Sequence, residues 1–278
     1  MYSWYMRNNA FESRLHVTEY HAKTNAQYPI NKLRNLAIEG VQTTHLWLTD
    51  MDMWPSLHLR EALLELPSSE LERTDLAVIV PAFELRKGPD TSSFSDVADS
   101  ASKRIPNTKA ELNACIAKKR CSTFRPKERL HDYFFPQWYD EAYAPLLTRV
   151  KCFKGDTQEP YVMVRKVPAM PRFDERFVNY GYNKVQWLEH LRFVGYDFEV
   201  LTRGFAVDIP HKKSKYWSTF VGDLFGKKEN GERKAVPMKE AYYQFVSELK
   251  RNYTRKQVVG KCLGVCCITH GLNTHGDS

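Results

Sequence analysis

Two carboxylates separated by one residue are the part of the sequence with the clearest chemical meaning. Asp50 and Asp52 follow the apolar residues 46–48 and precede Pro55. Carboxylate oxygens suit Mg²⁺ or Mn²⁺, and such ions commonly bridge protein carboxylates to substrate phosphates. An ion bound to a diphosphate also neutralises the charge that develops when the diphosphate leaves. The spacing therefore indicates a metal and diphosphate site, with a solvated turn as the alternative.

The elements on either side of these carboxylates determine where they lie. A buried strand is predicted over residues 44–49, so that Asp50 follows its carboxyl end. In open α/β sheets, ligands bind outside this end of the strands. Pro55 then predicts the first turn of a helix over residues 56–66. Its leucines predict the core face of that helix: Leu57, Leu63, Leu64 and Leu66.

Further strands and helices alternate along the chain. Alternation of apolar and polar residues predicts a short strand over 15–19, and apolar runs predict strands over 76–80, 161–165, 198–201 and 205–209. Helical periodicity and end signals predict helices over 31–39, 108–119, 184–194 and 238–253, two of them stopped by Gly40 and Gly195. A surface loop is predicted over 86–104 and a turn over 227–233. Strand–helix–strand order is typical of a parallel sheet covered by helices.

The six cysteines allow two interpretations. Cys262, Cys266 and Cys267, with His270, have the residue types of a zinc site but lack a second paired half at a usual spacing. The count is even, yet the chain is too long for a disulfide scaffold. Disulfides or inert thiols are therefore the favoured interpretation.

Composition excludes several classes of protein. Hydrophobic residues make up 42% of the 278 residues and charged residues 27%, which is typical of a globular protein rather than a disordered, collagen-like or coiled-coil one. The longest apolar runs hold about eight residues, whereas a membrane-spanning helix needs about 20. The net charge of +8 favours anionic partners. The basic residues are scattered and no nucleic-acid-binding motif accompanies them, so nucleic acid is not an expected partner.

Four segments around the paired carboxylates occur in a distinctive order. They read YPINKLRNLA at 28–37, EPYVMVR at 159–165, FDERFVNYGYNK at 173–184 and IPH at 209–211. Together with the Asp-x-Asp tripeptide, they resemble glycosyltransferase family forty-nine over about residues 15–253. Each segment alone is common, but the combination is specific.

The resemblance implies both a fold and an activity. The fold would be of the GT-A class, a Rossmann-like mixed sheet with helices on both faces, in a single domain over 1–253 with a tail over 254–278. The activity would be inverting, metal-dependent transfer from a UDP-sugar, with UDP-glucuronate the favoured donor, to a glycan or glycoprotein acceptor. A full-length member would lie in the Golgi lumen as a type II membrane protein.

The resemblance also assigns ligands to the metal. Asp50 and Asp52 match the metal-binding motif, and His211 matches a histidine that completes the coordination shell. An imidazole ligand favours Mn²⁺ over Mg²⁺. Without the resemblance, His211 would be read as a surface histidine beside Lys212.

A donor-binding helix face is implied just before the metal strand. Asn31, Arg34 and Asn35 are three and four residues apart, so one helix face can hold all three. The guanidinium fork of Arg34 suits the donor diphosphate or a sugar carboxylate. The alternative is an ordinary exposed face of an amphipathic helix.

An inverting transferase needs a general base for the acceptor hydroxyl. The Gly-rich turn at 181–184, where related enzymes carry an acidic pair, holds asparagine and lysine. The predicted bases are therefore Asp174 and Glu159. Both could equally be structural, with Asp174 in a salt bridge to Arg176 or Arg172. The rings of residues 133–143 predict either an acceptor platform or core packing.

The start of the chain departs from the family. Only about 27 residues precede Tyr28, so the first strand, helix and strand of the fold, and a membrane anchor before them, are expected to be absent. Membrane association would then depend on that absent anchor. The alternative function is a catalytically inactive glycan-binding or scaffold protein of the same fold.

Overall fold

A computed structural model describes residues 15–21, 27–86, 100–101, 103–155, 157–211, 214–225, 237–253 and 259–262. Its helices are α1 (Ile30–Gly40), α2 (Leu59–Leu64), α3 (Ser68–Leu71), α4 (Lys109–Ala117), α5 (Val185–Val194), α6 (Lys215–Phe225) and α7 (Pro237–Asn252). Its strands are β1 (His45–Trp47), β2 (Met53–Pro55), β3 (Leu76–Val80), β4 (Ala82–Leu85), β5 (Cys121–Thr123), β6 (Leu147–Arg149), β7 (Cys152–Phe153), β8 (Tyr161–Arg165), β9 (Asp197–Leu201), β10 (Ala206–Asp208) and β11 (Gly260–Lys261). None of the helices in these ranges has the length and apolar character needed to cross a bilayer.

The central sheet is mixed. Its five strands run in the order β1-β8-β3-β9-β6, and only the β3–β9 pair is parallel. Strand β8 lies between β1 and β3, antiparallel to both, with Val164 opposite Leu46 on one side and Ala77 on the other. The mixed α/β architecture agrees with the expected GT-A class, whereas the expectation of a parallel sheet is wrong. Strand–helix–strand order along the chain did not show that β8 returns between β1 and β3.

A second sheet of four short strands positions the residues of interest. Its order is β2-β10-β4-β5, with β10 antiparallel to β2 and parallel to β4. The register aligns Met53, Asp208, Glu84 and Ser122 in one row across the strands. The residues at 50–52 and 208–211 therefore meet at one edge of this sheet.

Helices α1 and α5 confirm the predictions of helices over 31–39 and 184–194. Helix α1 follows Pro29 and ends at Gly40, and its buried residues are the amides Asn31 and Asn35. Helix α5 ends at Gly195, whose φ of 104° is a left-handed conformation that glycine adopts without steric cost. The N-terminus of α5 follows directly on Lys184.

One predicted strand is wrong, and one predicted helix is shorter than expected. Residues 15–19 form no strand and are exposed, because alternation of apolar and polar residues does not supply a partner strand. The helix predicted over 56–66 begins only at Leu59, so the buried face passes through Leu59 and Ala62. Leu57 and Leu64 are each 62% exposed as a result, while Leu66 is buried as predicted.

The aromatic residues of 133–143 pack into the core. Trp138 is fully buried and its indole N–H donates to the Leu201 carbonyl at 2.9 Å. The Tyr133 hydroxyl accepts a hydrogen bond from the Ala82 amide at 3.2 Å. Core packing, rather than an acceptor platform, accounts for these two rings.

Two disulfides join elements around the sheets. Cys115 of α4 is bonded to Cys121 of β5, and Cys152 of β7 is bonded to Cys262. Of the favoured alternatives, disulfides or inert thiols, these four cysteines form disulfides. Cys266, Cys267 and His270 lie outside the described residues, as do the turn at 227–233 and most of the loop predicted at 86–104.

Candidate active site

Three side chains converge where β1, β2 and β10 meet. Asp52 lies in the turn between β1 and β2, Asp208 ends β10, and His211 follows three residues later. The Ile209 amide donates to the Asp52 carbonyl at 3.1 Å and joins the two segments. One ligand atom from each of the three side chains lies within 4.8 Å of the others, and each side chain is partly buried. Two carboxylates and an imidazole fit Mn²⁺ or another divalent transition ion.

Asp208 is the member of this group that the sequence analysis missed. Burial, together with the negative charge of Asp52, raises the pKa of Asp208 to about 7. Two carboxylates brought together in this way repel each other unless a cation lies between them. Its position at the end of a predicted strand, three residues before His211, was the available signal.

Asp50 faces basic residues of the protein. Its carboxylate accepts hydrogen bonds from the Lys184 ammonium at 2.6 Å and the Tyr161 hydroxyl at 2.8 Å. The Arg34 guanidinium lies 3.8 Å away. Burial by itself would raise the pKa of Asp50, but Lys184, with Arg34, holds it well below its usual range. The two carboxylates of the Asp-x-Asp motif thus have different partners, since Asp52 is 2.8 Å from the His211 imidazole.

Lys184 connects Asp50 to Glu159, one of the predicted bases. The ammonium lies 3.2 Å from a Glu159 carboxylate oxygen and 3.2 Å from the Tyr161 hydroxyl. Lys184 stands at the turn where an acidic residue was expected, and no role was predicted for it. In the structure it is the buried cation that compensates two carboxylates.

Asp174, the other predicted base, is bound elsewhere. Both of its carboxylate oxygens accept from the Arg176 guanidinium, which also pairs with Glu248 of α7 at 2.6 Å. Asp174 therefore forms the salt bridge to Arg176 that was the alternative to a base role. Arg172 instead pairs with Glu39.

The three residues of α1 that were predicted to bind the sugar donor have two different roles. Asn35 exchanges hydrogen bonds with the Phe173 backbone, both at 2.9 Å, and Asn31 donates to the Asp174 carbonyl at 2.9 Å. These amides dock the helix. Arg34 donates to Asn31 and Asn183, each at 2.9 Å, which holds its guanidinium beside Asp50.

The charges of the site leave a negative excess. Five carboxylates interact electrostatically with three basic side chains in this region, so the fully ionised group carries a net charge of −2. A divalent cation bound beside Asp52 and Asp208 would offset this excess and favour the ionised form of Asp208. The members are Asp50, Asp52, Glu84, Glu159 and Asp208, with Arg34, Arg125 and Lys184.

Comparison with known proteins identifies relatives of the chain. Residues 5–254 match the family described as glycosyl-transferase for dystroglycan. The chain is 34% identical over 198 residues to xylosyl- and glucuronyltransferase LARGE2 of Mus musculus, which covers 69% of this chain and 26% of that protein. It is 33% identical over 241 residues to beta-1,4-glucuronyltransferase 1 of Bos taurus, covering 84% of this chain and 51% of that protein. The chain thus spans about a quarter to a half of these relatives' lengths.

Proposed function

Because the chain belongs to the family of glycosyltransferases for dystroglycan, we propose that it transfers a sugar from a UDP-sugar donor to a glycan acceptor with the help of a divalent ion. The observation that carries the proposal is the convergence of Asp52, Asp208 and His211 within 4.8 Å. Two of these residues come from the segments on which the resemblance rests. The third, Asp208, lies beside them because β10 ends there.

Mn²⁺ is the proposed ion, with Mg²⁺ as the alternative. Asp52, Asp208 and His211 would hold it, and the ion would neutralise the diphosphate as it leaves. Arg34 lies beside Asp50 and would place a fixed positive charge near the same phosphates. Lys184 keeps Asp50 ionised and oriented through its 2.6 Å contact.

Glucuronate is the proposed sugar. Both relatives described above carry glucuronyl transfer in their names, and the net charge of +8 suits an anionic donor. Inversion at the anomeric carbon then requires a base to take the proton of the acceptor hydroxyl. Of the two predicted bases, Glu159 lies in the site, because it shares Lys184 with Asp50. Asp174 instead pairs with Arg176. We therefore assign the base role to Glu159.

An oxidising compartment fits this function. The bonds Cys115–Cys121 and Cys152–Cys262 form and persist mainly in secretory and extracellular environments. Glycoprotein acceptors occur in the same compartments. We propose a Golgi location for the protein on this basis.

A donor and acceptor screen tests the proposal. The purified protein would be incubated with Mn²⁺, UDP-glucuronate, UDP-xylose or UDP-glucose, and a panel of glycoside acceptors, and product would be followed by mass spectrometry. We expect transfer from UDP-glucuronate, with a loss of at least about 100-fold in Asp208→Asn. Asp132→Asn is the matched control, because Asp132 pairs with the exposed Arg129 instead. A wild-type protein that binds UDP and Mn²⁺ but transfers no sugar would contradict the enzyme and favour a glycan-binding role.

A further inference from the structure

Arg125 is a partly buried basic residue outside the proposed metal group of Asp52, Asp208 and His211, although its charge acts on Asp208. It follows Phe124 just after β5, and its guanidinium lies 4.9 Å from the centre of the Phe124 ring. One N–H donates to the Tyr180 hydroxyl at 2.7 Å. Within the described ranges, the guanidinium forms no salt bridge with a carboxylate. A guanidinium has five N–H donors, so most of its hydrogen-bonding capacity is available to a ligand.

The backbone holds Arg125 in a defined place. Its φ of 46° is left-handed, a conformation uncommon outside glycine, asparagine and aspartate. Its amide donates to a Glu84 carboxylate oxygen at 3.2 Å, and the preceding Phe124 amide donates to the Ala82 carbonyl at 3.0 Å. The Cys115–Cys121 disulfide joins the start of β5 to α4. These contacts fix the backbone from which the side chain projects.

Arg125 lies just beyond β5, the outermost strand of the row that contains Asp208. The register of the four-stranded sheet places Glu84 between Asp208 and Ser122, and the Ser122 hydroxyl donates to Glu84 at 2.9 Å. The Arg125 amide contacts the same Glu84 carboxylate. The Arg125 backbone therefore lies beside β4, the strand next to Asp208 of β10, and its charge acts on Asp208.

Tyr180 completes a binding surface with Arg125. Its hydroxyl accepts from Arg125, and within the described ranges it has no acceptor for its own proton. The residues on both sides of it, Asn179 and Gly181, have positive φ angles of 59° and 94°. The Phe220 ring of α6 packs against Tyr180 with centroids 5.6 Å apart. Four residues further along, Lys184 contacts Asp50, so the same segment connects Arg125 to the other half of the site.

We propose that Arg125 and Tyr180 bind the carboxylate of the donor sugar and so select a uronate over a neutral hexose. This inference rests on the proposed function, in which the metal group and Arg34 take the diphosphate. A guanidinium pairs bidentately with a carboxylate, and the phenol adds a further donor. A neutral sugar would leave these polar groups without a partner, which is how such sites discriminate between substrates.

Calorimetric titration of three ligands tests the assignment. UDP-glucuronate, UDP-glucose and UDP would be titrated in Mn²⁺ into wild-type protein and into Arg125→Met and Tyr180→Phe. We expect Arg125→Met to weaken UDP-glucuronate about 10- to 100-fold, as for loss of a charge-assisted hydrogen bond, and to leave UDP and UDP-glucose within about threefold. Tyr180→Phe, which keeps the ring packing, should show a smaller loss confined to UDP-glucuronate.

Arg129→Met is the matched control, because Arg129 also has a positive φ but is exposed and paired with Asp132. Its three affinities should equal those of the wild type. Equal weakening of all three ligands in Arg125→Met would overturn the proposal and assign Arg125 to the diphosphate. Unchanged affinities would overturn it as well. Failure of the wild-type protein to bind UDP in Mn²⁺ would instead refute the proposed function from which the inference starts.

Discussion

Replacing Lys184 with methionine removes the cation that two carboxylates share. The ammonium is 2.6 Å from Asp50 and 3.2 Å from Glu159, and the Lys184 side chain is only 8% exposed. Burial by itself would lower the pKa of Lys184, but the two carboxylates raise it above the ordinary value. The lysine is therefore charged in the folded protein. Lys184→Met keeps a similar chain length, removes the ion-pair partner of Glu159 and leaves Asp50 with Arg34 at 3.8 Å.

The expected loss follows from the exposure of the partners. Breaking a buried ion pair by removing one partner costs about 3–5 kcal/mol, and an exposed pair contributes about 1 kcal/mol or less. Glu159 is 17% exposed, whereas Asp50 retains 39%. We therefore expect Lys184→Met to lower the free energy of unfolding by about 2–4 kcal/mol, between these two limits.

Urea denaturation near neutral pH, with the disulfides intact and EDTA present, measures this loss without a contribution from bound metal. Arg203→Met is the matched control, since Arg203 and Glu65 form a 3.4 Å pair in which both side chains are more than half exposed. Arg203→Met should lower the free energy of unfolding by less than about 1 kcal/mol. A Lys184→Met protein as stable as this control would refute the reasoning that a buried network of charges supports the site.

Two further predictions concern stability. His131 is 5% exposed, and burial, with the positive charges of Lys184 and Arg125, lowers its pKa well below 6.5. The folded protein therefore keeps its full stability from this group above pH 6.5, and the free energy of unfolding falls by up to about 2 kcal/mol as the pH drops to about 5. His131→Phe should reduce the pH dependence of the free energy of unfolding, measured in urea, by that amount. An unchanged pH dependence would contradict the assignment. The disulfides Cys115–Cys121 and Cys152–Cys262 join residues 6 and 110 positions apart. Because a longer closed loop gives more stabilisation, serine replacement of Cys152 and Cys262 should lower the free energy of unfolding by about 2–3 kcal/mol more than replacement of Cys115 and Cys121. Equal losses in thermal or urea unfolding would argue against that loop-length difference.

The sequence predicted those elements whose signals are local. Strands β3 and β8 are short apolar runs, and Gly195 ends α5 where its spacing suggested. Alternation over 15–19 and the leucines of 56–66 misled because each pattern fits more than one arrangement. The backbone turn at Ser56, rather than the leucine spacing, determines that α2 begins at Leu59.

The candidate site was only partly predictable because it is assembled from distant segments. Asp52 and His211 were recognisable from motifs, but Asp208 acquires its meaning from the pairing of β10 with β2. Lys184 and Asp50 are 134 residues apart, and no local pattern shows their contact. Arg125 likewise depends on Tyr180, 55 residues further along.

Calorimetric titration of UDP with and without Mn²⁺, in the wild type and in Asp52→Asn, tests the central claim most directly. The claim is that Asp52, Asp208 and His211 hold an ion that binds the nucleotide diphosphate. We expect Mn²⁺ to tighten UDP binding by at least about tenfold in the wild type, and Asp52→Asn to abolish that coupling because an amide replaces a charged ligand. UDP affinity that is independent of Mn²⁺ in the wild type, or equally dependent on Mn²⁺ in the variant, would contradict the account.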